Sequence, residues 1–254
     1  MLIAQAPVEK TIELDYNIFL LQVHCPNISK SIKPGQFLNV RVTERFSPLL
    51  RRPFSVCDVE GEFLYLMFNV MGEGTNILSH KPKGSTIDIL GPLGNGFMLD
   101  DDYDTAVIVA GGLGAAPFPY VSRNLKRLNK NILSFIGGRT RSDVIKYGME
   151  NIHVATDDGS EGFKGNIVQL LEKNLNKFRK KRIKIFACGP TAMLQSLQKF
   201  CLDNNFNCEV STECAMACGF GICQGCPIES ENNPEKYLLV CKDGPVFNIK
   251  DVKI

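Results

Sequence analysis

Four cysteines toward the C-terminal end constrain this chain more than any other feature. Cys218, Cys223 and Cys226 stand as C-x4-C-x2-C, and Cys241 follows at a distance. A loop with that spacing wraps three thiolates around one inorganic centre and leaves a remote cysteine to complete it, which is the plant-type [2Fe–2S] pattern. Gly219, Gly221 and Gly225 fall inside the loop, where the backbone must bend tightly and aim amides at sulfur. Four cysteines would also suffice for a tetrahedral zinc ion, although zinc sites usually carry two C-x2-C pairs. Spacing alone leaves both open. Cys214, just ahead of the loop, reads as a buried small residue rather than a fifth ligand.

Half of the ten cysteines lie between Cys214 and Cys241, and the rest (Cys25, Cys57, Cys188, Cys201, Cys208) are dispersed. A disulfide framework is the mark of short secreted chains, whereas this chain has 254 residues. The first ten residues lack a basic segment followed by a long apolar one, and no apolar run approaches the roughly 18 residues that span a bilayer. A cytoplasmic location without a membrane contact is therefore expected. A net charge of +2, from 29 basic and 27 acidic residues, gives no electrostatic case for nucleic acid.

The pattern changes twice along the chain. Residues 11–14, 18–23, 37–42, 54–59, 63–70 and 85–90 read as short strands, punctuated by Pro34-Gly35, Glu60-Gly61 and Lys83-Gly84, and predict a small antiparallel β-barrel. After Asp100, strands at 105–110, 132–136, 153–156 and 183–187 alternate with helical stretches running to about 129 and over 168–177 and 192–204. That alternation predicts an open parallel α/β sheet. Beyond Glu209 regular periodicity fades, as expected where a metal centre organises the backbone. Three units are thus expected, over residues 1–99, 100–208 and 209–254. No internal repeat is present.

Two constellations suit nucleotide cofactors. Arg52-Pro53-Phe54-Ser55 offers a guanidinium for a pyrophosphate, a ring that can stack on a flavin, and a hydroxyl for a polar edge. Met71-Gly72-Glu73-Gly74-Thr75 before a helix at 76–80 suits a phosphate, or else is an ordinary turn capped by Thr75. Gly111-Gly112-Leu113-Gly114 joins a buried strand to a helix, where a dinucleotide can approach closely, but it is not the G-x-G-x-x-G fingerprint. Thr156-Asp157-Asp158 and Cys188-Gly189-Pro190 lie at strand ends, where open α/β sheets bind ligands. Arg139 could pair a phosphate or sit on the surface. His24, His80 and His153 are scattered and read as structural.

Together these motifs resemble the ferredoxin–NADP reductase superfamily, and more closely the electron-transfer subunits of class 1B dihydroorotate dehydrogenase. The resemblance rests on residues 49–55 (Leu-Leu-Arg-Arg-Pro-Phe-Ser), Gly72–Thr75, residues 90–97 (Leu-Gly-Pro-Leu-Gly-Asn-Gly-Phe), 110–114, 187–190, 216–223 and 241–247. It covers nearly the whole chain in the family's order. It implies an FAD held by Arg52, Pro53, Phe54, Ser55, Met67, Phe68, Asn69, Gly74 and Thr75. It implies NAD at Gly111, Gly112, Gly114, Cys188, Gly189 and Pro190, and a [2Fe–2S] cluster on Cys218, Cys223, Cys226 and Cys241. Asn69 stands where relatives carry an Arg, and Phe68 where a Tyr is common. The implied role is an electron relay in pyrimidine biosynthesis. An FMN-containing catalytic subunit, in a two-plus-two heterotetramer, would oxidise dihydroorotate and pass electrons through the cluster and FAD to NAD+. The same motifs also suit a reductase subunit of a hydrogenase or a ferredoxin–NAD(P) oxidoreductase. A zinc-stabilised nucleotide-binding module without redox activity is the reading of a different class.

Overall fold

The computed structural model describes residues 1–233 and 235–254. Six strands close into an antiparallel barrel in the order β1-β2-β5-β4-β3-β6. They are β1 (Leu2–Asp15), β2 (Ile18–His24), β3 (Phe37–Arg41), β4 (Arg52–Glu60), β5 (Phe63–Asn69) and β6 (Thr86–Leu93). Leu21, Leu38, Leu64, Leu66 and Ile89 fill its interior at 0% exposure. Closure removes the sheet edges that a small antiparallel sheet would otherwise leave unpaired. Two short helices, α1 (Pro26–Ser29) and α2 (Glu73–Ser79), serve as connections.

The barrel differs from the sequence expectation at β1, which starts at Leu2 rather than near Thr11. Pro7, Glu9 and Lys10 break the alternation that marks a strand. Pro7 is accommodated because β1 changes partner there, pairing with β6 through residues 2–7 and with β2 from Val8 onward. The helix expected at 76–80 begins earlier, with Gly72 as its N-cap; Thr75 stands in its first turn and accepts hydrogen bonds from the Met71 and Gly72 amides.

The second sheet has seven strands in the order β10-β9-β8-β7-β11-β12-β15. Its parallel strands are β7 (Thr105–Gly111), β8 (Asn131–Gly138), β9 (Ile152–Thr156), β10 (Phe163–Lys164), β11 (Ile183–Cys188) and β12 (Asn207–Ser211). Helices α3 (Phe118–Arg127), α4 (Ile167–Phe178) and α5 (Thr191–Asn204) complete the alternation. Every residue of β7 is buried, as the centre of a sheet covered on both faces requires. The chain winds outward from β7 through β8, β9 and β10, then returns to β11 on the other side. The carboxyl ends of β7 and β11 therefore form the topological switch point, where such sheets bind ligands.

The region beyond Glu209 is a hairpin of β13 (Pro227–Glu229) and β14 (Tyr237–Leu239), with β15 (Val246–Asn248). β15 returns to pair antiparallel with β12, so this region is tied into the large sheet. Phe97, from the glycine-rich run after β6, packs against Phe118 and Phe186 and joins barrel to sheet. Beside it, the 2%-exposed Lys184 ammonium reaches the Met98 carbonyl at 2.8 Å, Glu209 at 2.9 Å and Asp101 at 3.2 Å.

Candidate functional site

Seven of the nine sequence-predicted flavin residues line one cleft: Pro53, Phe54, Ser55, Met67, Phe68, Asn69 and Thr75. They converge because β4 and β5 are barrel neighbours and α2 follows β5 directly. Phe68 is 2% exposed, stacks on Phe19 and tilts against Phe54, so the two aromatic rings also belong to the barrel core. Arg52 and Gly74 do not line the cleft but sit together at its end. The Arg52 Nε lies 3.0 Å from where a Cβ on Gly74 would stand, and its guanidinium donates to the Leu50 carbonyl.

The opposite wall comes from distant segments: Leu113 and Ala116 after β7, then Ser211, Thr212, Glu213, Cys214 and Met216 after β12. Sequence reasoning missed the second group because β12 was not recognised. With that strand assigned, residues 211–214 stand at the carboxyl edge of the sheet, the place to look for ligand contacts. Glu213 keeps a solvent-facing edge, yet crowding by the cleft walls raises its carboxyl above the ordinary range. Burial, reinforced by the Glu213 carboxylate, pushes the Cys188 thiol up, against an opposing hydrogen bond with Ser211.

A second cleft lies at the switch point. Gly111, Gly112 and Pro190 line it together with Gly137, Gly138, Arg139 and Asp157. Gly114, Cys188 and Gly189 do not line it but pack tightly where β7 and β11 end: a Cβ on Gly114 would stand 2.3 Å from the Cys188 carbonyl oxygen, and one on Gly189 3.0 Å from the Gly111 nitrogen. Arg139 is exposed and pairs with Asp143 at 3.4 Å.

The four cysteines of the C-terminal segment fall into two pairs. Cys226 Sγ lies 3.1 Å from Cys241 Sγ, and Cys218 is hydrogen-bonded to Cys223. Gly219 and Gly221 take φ of +80° and +89°, a region that side chains avoid, so the loop can turn its amides inward. The Gly221 amide points at Cys241 Sγ at 3.1 Å, and the Cys223 amide at Cys218 Sγ at 3.4 Å. Burial alone would raise the Cys218 thiol. The amides of Cys223, Phe220 and Ile222 and the Cys223 side chain outweigh it and bring the thiol down to about 6. The residues thus fit a [2Fe–2S] cluster, in which each iron takes two thiolates. Among the described residues no three Cys, His, Asp or Glu side chains form a group that could hold a single metal ion.

The segment is also braced from the barrel. Asn39 of β3 is fully buried and donates from Nδ2 to the Cys218 carbonyl at 3.2 Å, while its Oδ1 has no partner. Gly219 passes directly over it, where a Cβ would come within 2.4 Å of that Nδ2. No motif flagged Asn39, because its role depends on a contact 179 residues away. Cys226 and Cys241 face inward, while Cys223, Phe220 and Ile222 form the exposed outer face of the loop. The three histidines lie apart from both clefts: His24 pairs with Glu62, His80 meets Ser79, and His153 stacks on Phe135.

Comparison with known proteins agrees with this geometry. Residues 213–253 match the family model described as the iron-sulfur cluster binding domain of dihydroorotate dehydrogenase B. The chain is 36% identical over 245 residues to the dihydroorotate dehydrogenase B (NAD(+)) electron transfer subunit of a Geobacillus species, covering 93% of each chain. It is 34% identical over 239 residues to that of Desulforamulus reducens, covering 91% of this chain and 90% of the relative. Among solved structures, the NADH-dependent reduced ferredoxin-NADP oxidoreductase superposes with a TM-score of 0.85 at 28% identity, over 98% of this chain and 90% of the other. A ferredoxin NADP+ reductase from Neisseria gonorrhoeae shares the fold at a TM-score of 0.66 and 16% identity, over 79% of this chain and 91% of that one. Similarity of this extent, running through barrel, sheet and cysteine segment alike, places the chain in the family of dihydroorotate dehydrogenase B electron transfer subunits.

Proposed function

We propose that the chain carries electrons from an FMN-containing dihydroorotate dehydrogenase catalytic subunit to NAD+, by way of a [2Fe–2S] cluster and FAD, in de novo pyrimidine synthesis. The observation that carries this reading is a shared wall. Cys214 and Met216 line the flavin cleft and also pack in the apolar cluster that contains Cys226 and Cys241. When bound, the flavin can exchange a hydride with nicotinamide and single electrons with an iron–sulfur centre.

The chain's own residues then have separable tasks. Pro53, Phe54, Ser55, Met67, Phe68, Asn69 and Thr75, with Arg52 beside the Gly74 turn, would hold the flavin. Gly111, Gly112, Gly114, Cys188, Gly189 and Pro190 form the NAD site, and Gly114 and Gly189 let the ends of β7 and β11 pack closely there. Asp143 and Asp157 beside Arg139 favour a ribose diol over a 2′-phosphate, hence NAD over NADP. Cys218, Cys223, Cys226 and Cys241 ligate the cluster. The exposed Phe220, Ile222 and Cys223 face the catalytic partner, in a two-plus-two heterotetramer. The tasks divide the chain at about residues 99 and 208. No helix among the described residues is long and apolar enough to cross a membrane.

The test is an anaerobic ultraviolet–visible spectrum of the purified chain before and after NADH. Flavin bands over a broad iron–sulfur absorption, both bleached by NADH, are expected. A chain that takes up zinc but neither iron nor flavin on reconstitution would sink the reading. A second reading, a ferredoxin–NAD(P) oxidoreductase subunit, draws on the structural match to the NADH-dependent reduced ferredoxin-NADP oxidoreductase. Copurification with an FMN protein that oxidises dihydroorotate separates the two.

A further inference from the structure

We infer that Arg123 is a positioning residue for hydride exchange: it clamps the helix behind the nicotinamide site to the strand that carries the flavin motif, and so fixes the separation of flavin and nicotinamide. The inference rests on the flavin and NAD sites proposed above. Three observations carry it. Ala116, in helical backbone at the head of α3, lines the flavin cleft, and Tyr120 and Arg123 follow it at i+4 and i+7 on the same face. That face meets the barrel. The Tyr120 hydroxyl donates to the Ile32 carbonyl at 3.1 Å, and the Arg123 guanidinium donates to the Asp58 carboxylate at 2.5 Å and reaches Glu60 at 3.4 Å. Asp58 and Glu60 end β4, whose beginning supplies Pro53, Phe54 and Ser55 to the other wall of the cleft.

From Ala116 to Arg123 along the helix, and from Ser55 to Asp58 along the strand, wall and anchor are about 10 Å apart. A regular element is stiff over that span, so a shift at the anchor is carried to the wall. The barrel holds its side of the clamp still. The Val59 amide donates to Asp58 Oδ1 at 2.8 Å, the Tyr65 hydroxyl to Glu60 at 2.8 Å, and the Gln22 amide to the Tyr65 oxygen at 2.9 Å. The Asp58 side chain is 10% exposed and that of Arg123 33%, so solvent screens the pair only in part. In the reaction the hydride leaves nicotinamide C4 with both electrons of its bond and is taken up by the flavin, leaving NAD+. Its rate falls steeply when the two rings are misplaced. The bland alternative is an ion pair that merely glues barrel to sheet. It needs no relation to the cleft, and under it stability and hydride rate change together.

The experiment compares Arg123→Met, Asp58→Asn and the double variant in the full chain, purified anaerobically with FAD. Flavin content and the denaturant midpoint are measured first. Charge-transfer absorption between bound nicotinamide and flavin then reports how the rings stack. Flavin reduction by NADH, and by NADH deuterated at the transferred position, reports the hydride step. Arg123→Met leaves Asp58 buried without its cation, so its midpoint should fall, and the double variant should recover much of that loss. Both should keep their flavin. In both, bound NADH should reduce the flavin about tenfold more slowly, with weaker charge-transfer absorption and a full isotope effect. Asp58→Asn keeps an acceptor for Arg123 and should slow the step less. A parental rate in Arg123→Met at full flavin content overturns the inference, as does a rate that recovers with the midpoint in the double variant. Loss of flavin from Arg123→Met overturns it too, because the clamp would then hold the flavin strand itself rather than the separation of the rings. A parent chain that takes up no flavin overturns the flavin reading instead, so the two failures are told apart.

Discussion

β7 and the segment carrying the four cysteines hold their shapes by different means. β7 has all seven residues buried, with helices on both faces and a hydrogen-bonded strand on either side. Its conformation follows from apolar burial and a ladder of backbone bonds. Among its described residues the cysteine segment has only the three-residue strands β13 and β14 for regular structure, and its loop keeps Phe220 and Ile222 in solvent. Positive-φ glycines, amides turned toward sulfur and one barrel asparagine give it form. The contrast teaches that one part of the molecule folds by excluding water, whereas the other is shaped around the group it carries.

The sharpest break of that contrast is at a proposed ligand. In Cys223→Ser, loss of iron and labile sulfide is expected, and electron transfer from the partner to NAD+ should fall more than about 100-fold, beyond the 10–100-fold typical of changes around a metal's ligands. Flavin content and NADH oxidation by artificial acceptors should persist in part, since Cys223 lies outside both clefts. Full transfer from the partner to NAD+ in this variant would sink the relay. In the sheet the comparable break is Lys184→Met. It strands Glu209, whose side chain is 14% exposed and lies 2.9 Å from the ammonium. Removing one partner of a buried pair costs about 3–5 kcal/mol. The denaturant midpoint of the whole chain should drop accordingly, with the cluster absorption lost only on unfolding.

Gly219→Ala acts between the two regions. A side chain at φ +80° whose Cβ would stand 2.4 Å from Asn39 Nδ2 strains the loop by about 1–3 kcal/mol. The strain is local, so iron release to a chelator should accelerate about tenfold or more while the unfolding midpoint of the sheet holds. A shift in both together would mean that the segment and sheet unfold as one.

The same division explains what could be read in advance. Four of the parallel strands, β7, β8, β9 and β11, were legible because apolar runs such as Val107–Val109 need burial on both faces, and nothing distant alters that demand. The cluster was legible because ligand spacing is a local property of the chain. β1 was not, since the polar pattern around Pro7 makes sense only once two partner strands are known. Nor were Asn39 and the wall formed by residues 211–214. Their roles come from contacts made across the whole fold, and neither carries periodicity or a spacing rule. The flavin residues stand between these cases: Pro53, Phe54 and Ser55 form a contiguous motif, but their cleft exists only because β12 delivers its far wall.

The smallest expected effect sharpens where the junction between barrel and sheet belongs. Asp101 stands in the connection from the barrel, and its carboxylate lies 3.2 Å from Lys184 in the sheet. The Asp102 amide, then the Lys184 ammonium, hold that carboxyl below the usual carboxylate range. A group with a lowered pKa in the folded chain contributes stability above its unfolded value and loses it as pH falls through the folded value. The thermal midpoint should therefore begin to drop as pH falls below about 5 and go on dropping below the ordinary aspartate value of ~3.9. In Asp101→Asn that drop should be smaller, while the midpoint at neutral pH lies slightly below the parent's, because the carboxylate is partly exposed and solvent screens the pair. If the two acid profiles coincide, Lys184 is held by Glu209 and the Met98 carbonyl alone, and the connection is a passive strap. If they diverge as expected, it is bolted to the sheet, and the cleft between barrel and sheet keeps its width independently of the cluster.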